Sequence, residues 1–248
     1  MLYDIITVFW RDWLVLKRRL GKFLLSRMVA PMLYLVAFGW GLGRSIPTTT
    51  TGGSYLDFLV PGILALNSMN ISFNSVGPSL HTARMYHKSL EEYLVAPIKP
   101  LAFIIGKIAA GTLRGILSSV IIIAMAYAFG ANFHINTLFV SVVAINCIIF
   151  SALGFITAMS INSHEDMGSV NTYVLLPMSF LCGTFFSPDK LPMIFKVMIE
   201  ALPLTHTSTL LRSIGTGNEV SVVSLAILLI YVVILIGICI WTMHKVCK

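Results

Sequence analysis

Charged side chains are scarce in this sequence of 248 residues: they make up 11% of it, whereas hydrophobic residues make up 57%. Soluble domains carry about a quarter charged residues, so this composition excludes an ordinary water-soluble globule. Several apolar runs also exceed about 18 residues, the length that predicts a membrane-spanning helix. The sequence therefore predicts an all-α membrane protein, for which the bilayer supplies the low-dielectric surroundings.

Cysteine is also sparse, and the usual signatures of catalytic sites are missing. The four cysteines, which include no CxxC pair, are Cys147, Cys182, Cys239 and Cys247. That pattern indicates neither a disulfide framework nor a zinc site. The sequence has no GxSxG or HExxH motif, and Gly106-Lys107 is no phosphate loop because Ile108 replaces the required Ser or Thr. We expect no catalytic centre, metal site or cofactor in this chain, and an intramembrane enzyme is the less favoured alternative.

The densest charge after the N-terminal segment lies at 81–100, between two long apolar runs. A helix over this stretch would carry Tyr86, Leu90, Tyr93 and Leu94 along one side. Its polar side would be formed by His81, Arg84, Lys88, Glu91 and Glu92. A short amphipathic helix of this kind lies along the membrane surface with its polar side in water. It is either a solvated connector or a docking helix for a water-soluble partner.

Four segments of the chain occur in an order that is characteristic of one membrane-protein family. They are DFLVPG at 57–62, EEYLVAPI at 91–98, FFSP at 185–188 and LPLTH at 202–206. In combination they resemble the ABC-2 type transporter permeases, which are the membrane subunits of ATP-binding-cassette exporters. The resemblance covers most of the chain.

The resemblance implies a set of partners and contacts. An ATPase subunit, which binds ATP and Mg, would dock on 81–100 through Arg84, Lys88, Glu91, Glu92 and Tyr93, and Glu91 is the strongest candidate for a charged contact. The loop that holds His164, Glu165 and Asp166 would add a second ATPase contact. A second permease, identical or not, would complete a path for an amphipathic cargo (a glycan, a lipid-linked molecule or a drug-like one). An ion-coupled secondary transporter is the alternative function.

The chain is expected to form a single transmembrane domain over 1–248, with six spans. The predicted spans are about 23–43, 55–79, 101–129, 136–161, 169–186 and 220–243. An N-terminal interfacial helix at 1–22 would turn one apolar stripe to the membrane, formed by Leu2, Ile6, Phe9, Trp13, Leu16 and Leu20. The segment 187–218 is too broken to span and too apolar for a free loop, which predicts a re-entrant or external helical hairpin.

Polar side chains inside the predicted spans mark a further candidate site. Asn67, Asn70 and Asn74 follow one another at spacings of three and four, so they share one helix face. Amides are unfavourable in hydrocarbon, so this face should either hydrogen-bond to another helix or line the cargo path. Arg114 lies deep in the third span, where a cation is usually paired or functional. The sequence does not identify its partner.

Basic residues indicate which way the chain faces. The N-terminal segment, 81–100 and the C-terminus hold most of the lysines and arginines, so the positive-inside rule places both termini in the cytoplasm. We therefore expect a multi-pass protein of the cytoplasmic membrane. The net charge of +7 is assigned to anionic lipid headgroups rather than to nucleic acid, because the positive residues cluster where headgroups would lie. The triplet His164-Glu165-Asp166 has no second ligand cluster and predicts no metal site.

Overall fold

The computed structural model describes residues 1–42, 55–86, 93, 98–131, 133–182 and 193–246. Throughout that part of the chain the regular secondary structure is helical. The helices are α1 (Leu2–Arg18), α2 (Leu20–Tyr34), α3 (Tyr55–Met85), α4 (Pro100–Ala128), α5 (Thr137–Ser160), α6 (His164–Val170), α7 (Leu176–Leu181), α8 (Met193–Glu200), α9 (Pro203–Gly215) and α10 (Val222–Val246). Two π-helical segments extend this set, Leu35–Leu42 after α2 and Asn171–Leu175 between α6 and α7.

Five of the described helices are long and apolar enough to cross a membrane. They correspond to the first, second, third, fourth and sixth predicted spans. The predicted fifth span, 169–186, coincides with the π-helical segment and α7, and its last four residues lie outside the described part of the chain. The count of six spans therefore stays a prediction.

The second span is longer than the sequence analysis predicted, because α3 continues to Met85 instead of ending near Ser79. His81 and Arg84 consequently belong to α3 and not to a separate surface helix. His81 is also fully buried, although the helix pattern predicted it on a polar, water-facing side. The prediction was wrong for this part of 81–100, since the apolar periodicity of a span and that of a surface helix are alike over a few turns.

α3 lies at the centre of the bundle and packs most extensively against α5 and α4. Gly77 of α3 and Gly154 of α5 meet where these two helices approach each other. A Cβ atom on Gly154 would lie 2.8 Å from the carbonyl oxygen of Phe73. Small residues at such contacts let two membrane helices pack backbone against backbone. By contrast, α2 and α10 are the most exposed of the five long helices.

α1 packs against α4. Val8 and Leu16 are buried, and Val8 sits against Gly106, where a Cβ would lie 2.8 Å from the Val8 side chain. Leu2 and Ile6, which were predicted to anchor the helix, are 77% and 58% exposed. Leu16 of the predicted stripe is buried within the chain, whereas Leu2 and Ile6 remain available to the membrane, so the membrane-facing stripe stays a prediction.

α8 and α9 follow one another in the segment that was predicted to be re-entrant. α9 is buried against α3, α5 and α10. Its Thr207 hydroxyl donates to the Asn146 side chain of α5 at 3.0 Å, and the Nε of Arg212 donates to the Phe58 carbonyl of α3 at 3.0 Å. The amide of His134, in the turn between α4 and α5, donates to the Gly215 carbonyl at 3.0 Å. The C-terminus of α9 therefore lies beside that turn.

Candidate functional site

Arg84 joins the end of α3 to the end of α5. Its Nη1 atom donates to the carbonyls of Ala158 and Met159, at 3.2 and 2.6 Å, and more weakly to Ile161 at 3.4 Å. Its Nη2 atom donates to the Oδ1 of Asn162 at 2.9 Å. The last carbonyls of a helix have no partner within the helix and carry partial negative charge, so a guanidinium at this position stabilises the helix end. The predicted contact of Arg84 with an ATPase stays a prediction, and within this chain its guanidinium binds the end of α5.

Tyr93 connects the predicted docking stretch to two other elements. Its hydroxyl accepts a hydrogen bond from the Nη1 of Arg11 on α1, and the Arg11 guanidinium lies 5.2 Å from the centre of the Tyr93 ring. The same ring contacts that of Phe103 on α4, with centroids 4.9 Å apart. Tyr93 is half-buried as a result. Lys88, Glu91 and Glu92, the other predicted contacts, lie outside the described residues.

The second predicted contact loop lies next to the end of α3. Ser163 caps α6, because its Oγ accepts from the Glu165 amide at 3.2 Å. The His164 ring stacks on the buried His81 ring, with centroids 5.9 Å apart, and meets the Tyr86 ring edge-on at 6.2 Å. His164, Glu165 and Asp166 themselves are exposed. The structure therefore places this loop next to Arg84 and Tyr86 at one end of the bundle. We call this end the central-loop end.

The partner that the sequence did not reveal for Arg114 belongs to α1. Asp12 accepts two hydrogen bonds from Lys107 Nζ, at 2.8 and 3.0 Å, and both side chains are mostly buried. The Nη2 of Arg114 donates to the main-chain oxygen of Asp12 at 3.3 Å, and its Nη1 to that of Ser75 on α3 at 3.4 Å. One residue of α1 thus engages both cations of α4. Asp12 lies four residues from Val8 and from Leu16, so a carboxylate on the packed face was the signal that sequence reasoning missed.

The three asparagines of α3 reach different neighbours. The Asn67 Nδ2 donates to the Ser118 hydroxyl of α4 at 2.6 Å. The Asn74 Oδ1 accepts from Asn171, in the π-helical segment after α6, at 3.1 Å. Asn70 donates to the Leu66 carbonyl of its own helix at 3.1 Å. The amides of Asn67 and Asn74 therefore link α3 to other helices. The hydrogen bond that Asn70 donates stays within α3.

Asn70 also lines a cavity of about 260 Å³ between α2, α3 and the segment that ends in α7. The remaining lining residues combine aromatic, aliphatic and polar groups: Tyr34, Leu66, Asn171, Leu176, Ser179 and Phe180. Amides and a hydroxyl beside aromatic rings form a surface that suits a molecule with both polar and apolar parts. Of the three asparagines of α3, Asn70 is the one that lines this cavity.

A polar network in the centre of the bundle was missed by the sequence analysis. The Nδ2 of Asn146 donates to Ser68 Oγ at 2.8 Å and to the Ala65 carbonyl at 3.2 Å, while its Oδ1 accepts from Thr207. Asn146 is fully buried, and its three partners satisfy it without water. The signal was a lone amide within an apolar run, which hydrocarbon disfavours unless another helix supplies partners. The network links α3, α5 and α9.

No group of three or more metal-ligating side chains occurs within the described ranges. The pairing of His81 with His164 does not extend to a third ligand there. At the central-loop end, side chains hold the ends of helices together through hydrogen bonds and ring contacts.

Comparison with known proteins gives these features a context. The model of the family described as "ABC-2 type transporter" matches residues 3–215. The chain is 25% identical to the inner membrane transport permease YadH of Escherichia coli strain K12 over 224 residues, which cover 89% of this chain and 86% of YadH. It is 28% identical to nodulation protein J of Rhizobium leguminosarum bv. trifolii over 219 residues, covering 87% and 82%. Nodulation protein J of Rhizobium meliloti is 28% identical over 224 residues, covering 90% and 85%.

Proposed function

This chain belongs to the ABC-2 type transporter family, and from that premise we propose that it is the permease subunit of an exporter driven by ATP hydrolysis in a partner subunit. Members of the family are transporter components that work with ATP-binding-cassette ATPases, and they are not enzymes themselves. Its permease relatives and its long apolar helices make it a multi-pass inner membrane protein. ATP and Mg would be bound by the partner, because this chain has no phosphate-binding loop.

The proposed docking surface for the ATPase is the central-loop end of the bundle. The observation that carries this proposal is the set of contacts that Arg84 makes with the end of α5. These contacts hold α3 and α5 together as one stiff unit. Tyr93 adds a connection to α1 and α4. Conformational coupling needs a stiff element that contacts both sites. A force applied to 86–98 would therefore be transmitted to α3, α4 and α5 and also to α1.

Within this surface, direct contact with the ATPase is assigned to Lys88, Glu91 and Glu92, with Glu91 as the principal charged contact. Arg84 and Tyr93 would act by positioning that stretch, since their side chains are engaged inside the chain. His164, Glu165 and Asp166 would form the second contact, which their exposure next to the end of α3 supports.

The substitution Glu91→Lys tests this docking proposal. Reversing a charge at an interface disfavours association by placing like charges together, so we expect at least a tenfold loss of ATPase co-purification, or ATP hydrolysis that is no longer coupled to export. Glu219→Lys is the matched control, because Glu219 is exposed in the turn before α10, away from the proposed surface. Normal assembly and transport with Glu91→Lys would overturn the proposal.

The cargo path is assigned to the surface that holds the cavity at Asn70. One chain of this length would form half of the membrane part, and a second permease would close the path against it. The exposure of α2, which lines the cavity through Tyr34, supports a lateral opening or a subunit contact on that side. We propose an amphipathic cargo, since amide and aromatic groups occur together in the lining.

A further inference from the structure

Positive charge exceeds negative charge where α1, α2 and α4 meet. Lys107 and Arg114 of α4 both engage Asp12, but the carboxylate is already held by Lys107 through both of its oxygens. The hydrogen bonds that Arg114 makes to described residues go to main-chain oxygens, at 3.3 and 3.4 Å. Arg27 of α2 lies within electrostatic range of Arg114. Among the described residues, Asp12 thus engages two cations, Lys107 and Arg114, and the third, Arg27, lies near Arg114.

Arg27 has no acceptor for its guanidinium among the described residues. Its guanidinium lies over the ring of Phe23 on the same helix, 5.8 Å from the ring centre. Arg27 follows Leu20, the first residue of α2, by seven positions, so it lies about 10 Å along the helix. A guanidinium at that depth normally pairs with an anion or reaches the interface. The protein itself provides no such anion in the described part of the chain.

Arg114 is similarly placed on its own helix. It follows Lys107 by seven residues, so it lies about 10 Å farther from the central-loop end on the same face of α4. Arg27 is exposed and Arg114 is partly buried, and the two arginines belong to α2 and α4, which contact each other. Further cations lie on the exposed surface near the start of α2: Lys17, Arg18, Arg19 and Lys22.

We propose that Arg27 and Arg114 form a binding site for the phosphate group of an anionic amphiphile, at the junction of α1, α2 and α4. Guanidinium groups bind phosphate through paired hydrogen bonds, whereas lysine acts only as a point charge. Basic pockets between membrane helices on the cytoplasmic side are typical binding sites for anionic headgroups. The phosphate belongs either to a resident membrane lipid or to the exported cargo. The two sources share the chemistry that these arginines recognise.

A direct test uses the full chain purified in neutral phosphatidylcholine with a small fraction of phosphatidylglycerol, and native mass spectrometry to count retained lipid. The wild-type chain should retain phosphatidylglycerol in preference to phosphatidylcholine. Arg27→Gln and Arg114→Gln should each lower that retention about tenfold, the change expected from losing about 1.4 kcal/mol of binding free energy. Arg27→Lys should give an intermediate value, because it keeps the charge but not the paired hydrogen bonds.

Lys22→Gln is the matched control, since Lys22 is an exposed cation on the same helix and lies outside the proposed site. It should retain phosphatidylglycerol within about twofold of the wild type, which separates a built site from general surface attraction. Thermal unfolding in phosphatidylcholine alone checks that the variants fold. If Arg114→Gln does not fold, Arg27→Gln still decides the matter, because the Arg27 side chain makes no hydrogen bond to any other residue that the structure describes.

The source of the phosphate follows from the lipids that remain with the chain when it is extracted from its native membrane with a polymer. Retention of phosphatidylglycerol or another bulk phospholipid identifies a resident lipid, and retention of a scarce phosphate-bearing amphiphile identifies a cargo. Either result supports the proposed site if Arg27→Gln abolishes the retention. Equal retention in the wild type and Arg27→Gln, or an equal loss in Lys22→Gln, overturns it. The measurement needs no ATPase, so its failure leaves the proposed export function standing.

Discussion

Single residues connect distant parts of this chain, and Arg84 is the clearest example. Its guanidinium donates to three carbonyls and one amide oxygen at the end of α5, about 75 positions away in sequence. Hydrogen bonds from charged groups contribute more to stability than neutral ones. The residue therefore determines how α5 ends and where the following loop lies.

Replacing Arg84 with Ala should lower the free energy of unfolding by about 2 kcal/mol, because the carbonyls at the end of α5 lose their charged donor. Thermal unfolding of the purified chain measures the effect. Lys17→Ala, which removes an exposed cation of α1, should change stability by less than about 0.5 kcal/mol. Equal stability of Arg84→Ala and the wild type would contradict the capping role.

Asp12 has a comparable role for α1, since it holds Lys107 and a backbone contact from Arg114. Asp12→Asn should lower the free energy of unfolding by about 2 kcal/mol, between the values for exposed and buried ion pairs. The substitution should also make α1 more susceptible to cleavage in limited proteolysis.

Asp4→Asn provides the comparison for Asp12→Asn on the same helix. Asp4 pairs only with the N-terminal amine, at 3.5 Å and with both groups partly exposed. Its substitution should change the free energy of unfolding by less than about 1 kcal/mol. A double substitution that also replaces Lys107 with Met should recover part of the loss from Asp12→Asn, because no unpaired charge is then left buried. Additive losses would argue against a direct pair.

At the level of helices, small residues determine how closely α3 and α5 pack. Gly154 faces the backbone of α3, where a Cβ would meet the Phe73 carbonyl oxygen at 2.8 Å and the Gly77 amide nitrogen at 3.0 Å. A backbone atom cannot rotate out of the way as a side chain can. The helix pair therefore requires glycine at this position.

Gly154→Ala should cost about 1–3 kcal/mol of unfolding free energy, since the added methyl group forces α3 and α5 apart. Gly237→Ala in α10 should be neutral or stabilising by up to about 1 kcal/mol, because nothing lies within 4 Å of its Cβ position. Thermal unfolding of both variants in the same detergent makes the comparison. If both changes had the same sign and size, close approach would not be the cause.

At the level of the whole molecule, the helices give the bundle two distinct ends. Arg84, Tyr93 and His164 mark the central-loop end. The turn between α4 and α5 marks the other end, where the His134 amide donates to Gly215 at the end of α9. α5 is 24 residues long, so about 36 Å separates its two ends. That length matches the thickness of a bilayer.

Cysteine labelling in intact cells tests the predicted orientation. In a Cys247→Ser background, Thr216→Cys should react with a membrane-impermeant maleimide, whereas Asp166→Cys should react only after permeabilisation. Both positions are exposed, and the three other cysteines are buried. The excess of basic residues at the central-loop end is the physical reason for this orientation. The opposite labelling pattern would place the proposed ATPase surface outside the cell.

Much of the fold followed from patterns that act within one helix. The apolar runs predicted four spans whose ends lie within a few residues of α4, α5, α10 and of α2 taken together with its π-helical extension. The predicted helix boundary was wrong at His81 and Arg84, because a membrane span and a surface helix share the same apolar periodicity over a few turns. The contacts of Arg114 with Asp12 and of Asn146 with Thr207 were not predictable, because they join residues 102 and 61 positions apart. No local pattern encodes such a pairing.

The sequence by itself determined that this is a helical membrane protein and that 81–100 is its most densely charged stretch after the N-terminal segment, because hydrophobic length and charge density are properties of the chain alone. Only the tertiary structure decided which polar groups meet. It assigned Arg84 to the end of α5, Tyr93 to α1, and Asp12 to the cations of α4. In the low-dielectric interior each buried polar group requires a partner, and the partner's identity depends on which helices pack together.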